Sequence, residues 1–175
     1  LEKMGCPIPD DATLRRFMGP PLAESFANFC GMTEEEAIRA SNFYRERYNP
    51  IGWKENRVFP RIRQLLCELK KRGAYVAVAT GKPQASAEKI LAYFGLTQYL
   101  DCIAGPQNGE FHISKAELIR RAMPENAGRC VMVGDTVGDV MGAKECHVDS
   151  VAVLYGYGEN AEIIASHPTH VAETE

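Results

Sequence analysis

The sequence has no C-x-x-C pair, no histidines at metal-ligand spacing, no apolar run longer than a strand and no surplus of positive charge. Each absence removes a class of function. The six cysteines, at positions 6, 30, 67, 102, 130 and 146, lie far apart, and Cys102 and Cys130 fall inside apolar strand-like runs. They are expected to be reduced core thiols, and with them a cytoplasmic location is expected. His112, His147, His167 and His170 offer no zinc-site spacing. The longest apolar runs, Tyr75–Ala79 and Val151–Leu154, are far shorter than the roughly 20 residues of a bilayer-spanning helix, so no membrane partner is expected. A net charge of −3 gives no basic patch for a nucleic-acid polymer. Leu1–Gly5 reads as the tail of a helix rather than as a secretory leader.

What remains is an ordinary globular composition, 45% hydrophobic and 25% charged over 175 residues, enough for a core domain with a small satellite. Two halves differ in pattern. Residues 1–56 read as helices only. One is expected over Asp11–Phe17, and a second starts at Pro20-Pro21 and stops at Gly31. A third opens on the capping box of Thr33 with Glu36, carries Glu34 and Glu35 in its first turn, and ends before Asn49-Pro50. Residues 57–175 alternate helices and strands. Ile62, Leu65, Leu66 and Leu69 keep helical spacing up to Gly73. Strand-like runs follow at Tyr75–Ala79, Asp101–Ala104, Cys130–Val133, Ser150–Leu154 and, weakly, His170–Ala172, with helical segments around 84–94, 114–122, 137–146 and 159–166. The continuous apolar run at Tyr75–Ala79 suits a strand buried on both faces. The expected fold class is therefore α/β, a Rossmann-like parallel sheet core (57–175) with a small all-helical cap (1–56).

In an open parallel sheet, ligands bind beyond the carboxyl ends of the strands. After Tyr75–Ala79 comes Thr80-Gly81-Lys82-Pro83: a hydroxyl, a glycine that lets backbone N–H groups approach closely, and a helix start, as a phosphate cradle requires. A plain strand-to-helix turn capped by Thr80 is the alternative. After Cys130–Val133 comes Gly134-Asp135-Thr136-Val137-Gly138-Asp139. Two carboxylates four residues apart there suit Mg²⁺, or else serve only the dipole of the next helix. Lys115 stands in the first turn of a helix, against the dipole preference, so something else must hold it there.

Thr80-Gly81-Lys82, Lys115 and Gly134-Asp135-x-x-x-Asp139, in this order on an α/β background, resemble motifs II, III and IV of the haloacid dehalogenase (HAD) superfamily. Leu14–Leu22 resembles the helical cap of its phosphoglycolate phosphatase branch; Tyr44–Tyr48, the approach to the core at Val58-Phe59-Pro60, and Leu154–Gly158 after a late strand are also similar to that branch. The resemblance implies a phosphatase in which an aspartate attacks phosphorus to form an aspartyl-phosphate, with Mg²⁺ as cofactor. It assigns Asp135 as a metal ligand and Asp139 to the metal or a water bound to it. Thr80 and the Gly81 backbone would hold phosphoryl oxygens, and Lys115 would bridge nucleophile and phosphate. The aspartate of the family's Asp-x-Asp-Gly-Thr motif has no counterpart in these residues. In the family that motif ends the first, central strand, so the resemblance implies a sheet lacking its central strand, and the chain as written is not expected to fold stably alone.

Arg16, Arg45, Arg47 and Lys54 give the cap cations for a second anionic group, unless they simply solvate helix faces. Trp53 is expected as a buried anchor for the cap. A small phosphorylated metabolite such as 2-phosphoglycolate fits the resemblance best, with a nucleoside monophosphate or pyrophosphate next. The competing readings are a non-catalytic phosphate- or metal-binding fragment and a phosphosugar mutase.

Overall fold

A computed structural model describes residues 1–110 and 113–174. His112 lies outside the described residues. The chain forms two units, Leu1–Asn56 and Arg57–Glu175.

The first unit is helical. Asp10 caps α1 (Asp11–Arg15), its Oδ1 accepting from Thr13 N at 2.7 Å. Pro21, which has no N–H to leave unsatisfied, precedes α2 (Leu22–Cys30), and Gly31 ends it at φ 65°, the left-handed conformation that glycine takes without strain. Thr33 and Glu36 form the reciprocal cap of α3 (Glu34–Tyr48). The small residues Ala37, Ala40 and Ser41 let α3 lie close against α2, and Phe26 and Met32 fill the space between them. The buried Ser41 hydroxyl donates to Ala37 O at 2.7 Å, so it costs little there. Phe17 joins this core edge-on to Phe26 and Phe29, at centroid distances of 5.2 and 5.5 Å. Leu1–Gly5 is a single 3-10 turn over Glu2–Met4. Trp53, expected to be buried, is half-buried in a second 3-10 turn, Gly52–Lys54.

The second unit is α/β. It runs α4 (Ile62–Lys71), β1 (Ala77–Ala79), α5 (Gln84–Tyr93), β2 (Cys102–Ala104), α6 (Lys115–Ala122), β3 (Val131–Gly134), α7 (Val137–Glu145), β4 (Asp149–Val153), α8 (Asn160–Ala165) and β5 (His170–Ala172). All pairings are parallel, as alternating strands and helices require. β1 pairs with β2, Ala77 opposite Cys102, and β3, β4 and β5 form a second sheet with Val131 opposite Asp149 and Val151 opposite His170. Among the described residues no pairing joins β1 to β3. The sheets are linked through helices instead: α6 packs on β1 and β2, α7 on β3 and β4, and α6 on α7. Leu118 and Ile119 of α6 are buried, each stabilising the unit by about 1.5–3 kcal/mol. Val140, Ala152 and Ile163 form a buried cluster among α7, β4 and α8.

The expectation that Tyr75–Ala79 is buried on both faces fails, and β3 shows the same exposure for the same reason. Only the last three residues of Tyr75–Ala79 are strand, and Tyr75 and Ala77 are exposed rather than buried on both faces. In β3, Val131 and Val133 are 48% and 58% exposed. Among the described residues β1 and β3 are each paired on one side only, so their apolar side chains lack a neighbouring strand's side chains to pack against. The cysteines follow suit. Cys102, and Cys130 just before β3, are half-buried rather than core thiols, and all six cysteines are free. Among the described residues no helix is long and apolar enough to cross a membrane.

Candidate active site

Three segments end close together at the carboxyl ends of β1 and β3. Thr80 directly follows β1; its N–H donates to Ala104 O at 2.9 Å, and its Oγ1 accepts from Lys82 N at 3.1 Å, which tightens the turn into α5. Gly81 is exposed, and a Cβ built on it meets nothing within 4 Å. Gln84, in the first turn of α5, fixes this turn from behind. Its Oε1 accepts from Gly105 N at 2.7 Å, and its Nε2 donates to Ile103 O at 2.8 Å.

The loop after β3 is built differently. Thr136 caps α7 and Asp139 completes the capping box. Asp139 is 5% exposed, and protein donors fill its carboxylate. Oδ2 accepts from Asp135 N (3.1 Å), Thr136 N (3.1 Å) and Thr136 Oγ1 (2.9 Å), while Oδ1 faces Lys115 Nζ at 2.8 Å. Lys115 is the first residue of α6, whose N-cap is Ser114. Its ammonium also donates to Ala79 O, the last carbonyl of β1, at 3.2 Å. Asp139 and Ala79 thus supply the partners that offset an unfavourable place at a helix N-terminus. Lys115 ties the end of β1 to the start of α7.

Asp135 has a freer carboxylate. Oδ2 accepts from Tyr157 N at 2.8 Å, and Oδ1 takes no hydrogen bond among the described residues. Beside it lies a cavity of about 330 Å³ lined by Phe59, Ile62, Val133, Val153 and Tyr155. Phe59 meets Tyr155 edge-on at 5.5 Å.

Glycines seat these charged groups. A Cβ at Gly134 would overlap the Asp139 carboxyl, and one at Gly156 would overlap that of Asp135. One at Gly142 would lie 2.7 Å from Lys115 Cγ. Gly142, Thr136, the Tyr157 N–H and the Ala79 carbonyl escape a reading by motif. Two of these leave a trace in sequence, Gly142 as a glycine inside a helical segment and Thr136 as the start of a Thr-x-x-Asp capping-box pattern.

The structure therefore brings Lys115 and Asp139 together and sets Thr80 after the strand whose last carbonyl Lys115 contacts. Arg16 and Arg45 belong to the helical unit. Arg16 lies 4.3 Å from the centre of the Phe29 ring, a cation–π contact, and Arg45 donates to Asn42 Oδ1 at 3.2 Å. Arg47 is held by Glu55 through two hydrogen bonds.

For Mg²⁺, the donors present fit in part. Asp135 offers a hard oxygen that takes no hydrogen bond among the described residues, and Mg²⁺ characteristically keeps waters and substrate oxygens in its remaining positions. Asp139 faces protein donors with both oxygens. Among the described residues no group of three or more His, Cys, Asp or Glu side chains gathers into an all-protein metal site.

Known proteins resemble this chain over most of its length. The profile of the haloacid dehalogenase-like hydrolase family matches residues 1–153. A 5'-nucleotidase from Pseudomonas aeruginosa is 38% identical over 173 residues, covering 97% of this chain and 78% of that protein. The tyrosine-protein kinase PtkA of Mycobacterium tuberculosis is also 38% identical, over 165 residues; the match covers 90% of this chain and only 55% of the kinase. The crystal structure of a predicted phosphatase from Clostridium acetobutylicum superposes with a TM-score of 0.87 at 32% identity, covering 99% of this chain and 82% of that one.

Proposed function

This chain belongs to the haloacid dehalogenase-like hydrolase family, and we propose that it serves as the phosphoryl-handling part of a phosphoric monoester hydrolase acting on a small phosphorylated metabolite. The observation that carries the reading is the place of Lys115. Its ammonium is held between the last carbonyl of β1 and the buried Asp139 carboxylate, 3.2 and 2.8 Å away, beside the strand ends that carry Thr80 and Asp135. A cation fixed before substrate arrives stabilises charge that builds up on a transferring phosphoryl group without reorganising during the reaction.

Each residue has a distinct task in this reading. Thr80 Oγ1 and the Gly81 backbone bind phosphoryl oxygens. Lys115 neutralises charge between phosphate and nucleophile. Asp139 keeps Lys115 oriented through the Thr136 cap. Asp135, whose Oδ1 takes no hydrogen bond among the described residues, would hold Mg²⁺, which would supply charge neutralisation at the phosphoryl group. The phosphoryl group passes to an aspartate carboxylate as the alcohol leaves, and water then releases phosphate from the aspartyl-phosphate. That aspartate is not one of the 175 residues, which contain no Asp-x-Asp-Gly-Thr, so activity belongs to a protein that supplies it.

The substrate reading is a 2-phosphoglycolate-like metabolite, from the resemblance of the helical segments. A nucleoside 5'-monophosphate is the second reading, and the 38% identity to a 5'-nucleotidase over most of both chains favours it. Phosphate release by the full-length protein, measured with Mg²⁺ on 2-phosphoglycolate and a set of nucleoside 5'-monophosphates, separates the two. The intact mass of the purified protein is read in parallel. Lys115→Ala and Asp135→Asn should each lower kcat by about 10²-fold or more. Wild-type turnover that persists in both variants would end the proposal.

A further inference from the structure

Gly142 lies inside α7, which runs from Val137 to Glu145, and it is buried. Glycine inside a helix is about 1 kcal/mol less favourable than alanine. No left-handed backbone accounts for it, because Gly142 is not among the glycines with positive φ. What it does provide is room. A Cβ at this position would stand 2.7 Å from Lys115 Cγ, 3.0 Å from Lys115 Cβ and 3.2 Å from the Ala116 amide nitrogen. The lysine stem crosses α7 over Gly142, where no side chain stands in its way, and its ammonium reaches Asp139 and Ala79 from there.

We infer that Gly142 is a positioning residue for Lys115: its missing side chain forms the passage that fixes where the ammonium sits. The inference rests on the proposed role of Lys115 only for its catalytic consequence. The seating itself stands on packing. An alanine here must push the lysine stem aside or move α6 away from α7, and in either case the ammonium leaves its place between the two oxygens.

The test uses four forms of the full-length protein: wild type, Gly142→Ala, Lys115→Ala and the double variant. The first readout is thermal stability. Helix propensity alone predicts that Gly142→Ala raises Tm. The inference predicts a fall of about 3–6 °C while Lys115 is present, and a clearly smaller change in the Lys115→Ala background, where Cγ no longer obstructs. An equal change in both backgrounds, or a rise in both, overturns it. If Gly142→Ala fails to fold, recovery in the double variant supports the inference. Failure of both means that the glycine serves the α6 backbone and overturns it.

The second readout is steady-state hydrolysis of 4-nitrophenyl phosphate with Mg²⁺. Gly142→Ala should lower kcat about 10-fold or more with KM changed less than about 3-fold, and should add nothing to the loss caused by Lys115→Ala. Losses that multiply independently overturn the inference. If Lys115→Ala leaves kcat intact, the proposed function fails while the Tm comparison still decides whether Gly142 seats the lysine.

Discussion

The loops after β1 and β3 are both strand-to-helix turns at carboxyl ends, yet their packing is opposite. After β3, Asp139 is buried and accepts from Asp135, Thr136 and Lys115, and a Cβ at Gly134 would overlap its carboxyl. After β1, Thr80 binds Lys82 N and Ala104 O through the turn, Gly81 and Lys82 are exposed, and a Cβ at Gly81 meets open space. One loop fixes charges and the other leaves room. That division suits phosphoryl chemistry, in which groups that oppose developing charge gain from being immobile and the cradle must admit a ligand.

The largest expected effect comes from removing the centre of the rigid loop. Asp139→Ala leaves Lys115 without its carboxylate partner and removes the Asp139 half of the α7 capping box, a loss of about 3–5 kcal/mol for breaking a buried ion pair, read as a lower denaturation midpoint with unchanged m-value. Next comes a matched glycine pair. Gly134→Ala forces its Cβ into the Asp139 carboxyl and should cost about 1–3 kcal/mol. Gly81→Ala should leave stability within about 0.5 kcal/mol of wild type while raising KM for a phosphomonoester, because the added methyl occupies the proposed cradle. Equal stability losses at the two glycines would remove the distinction between the loops.

Much of this was legible in the sequence, and what was not has a physical cause. The Thr33–Glu36 box, the helix stops at Gly31 and Gly73, and the parallel α/β order follow from local rules that the structure keeps. Lys115 could be singled out because its charge opposes the helix dipole, but its partners could not. The Ala79 carbonyl carries no side-chain signature, and Gly142 acts through an atom it lacks. Burial misled at Tyr75 and Ala77, because an apolar run reports what a strand can bury, whereas exposure depends on which neighbour pairs with it.

The smallest effect concerns the opposite end of β1, where the chain is pinned rather than open. Asp101 binds Lys70 Nζ at 2.6 Å and accepts from Val76 N at 2.8 Å, just before the strand. The Lys70 ammonium, and then the Val76 N–H, hold its carboxyl below the usual aspartate range. Farther along, hydrogen bonds from the Arg121 guanidinium, then the Gln107 N–H, bring Glu110 down to about 2. A depressed carboxylate pKa stabilises the fold fully above the unfolded value of about 4 and loses that contribution as pH falls through the folded value. Asp101 is exposed and Glu110 half-buried at the surface, so solvent screens both and the effect is modest. Lys70→Met and Arg121→Gln should each lower Tm by about 1–2 °C near pH 7. For Arg121→Gln the gap to wild type should narrow between about pH 4 and pH 2, and for Lys70→Met it should narrow below about pH 4. Gaps that persist unchanged at acid pH would mean that Lys70 and Arg121 act through the packing of their aliphatic stems, and that the start of β1 is held by contact rather than by charge.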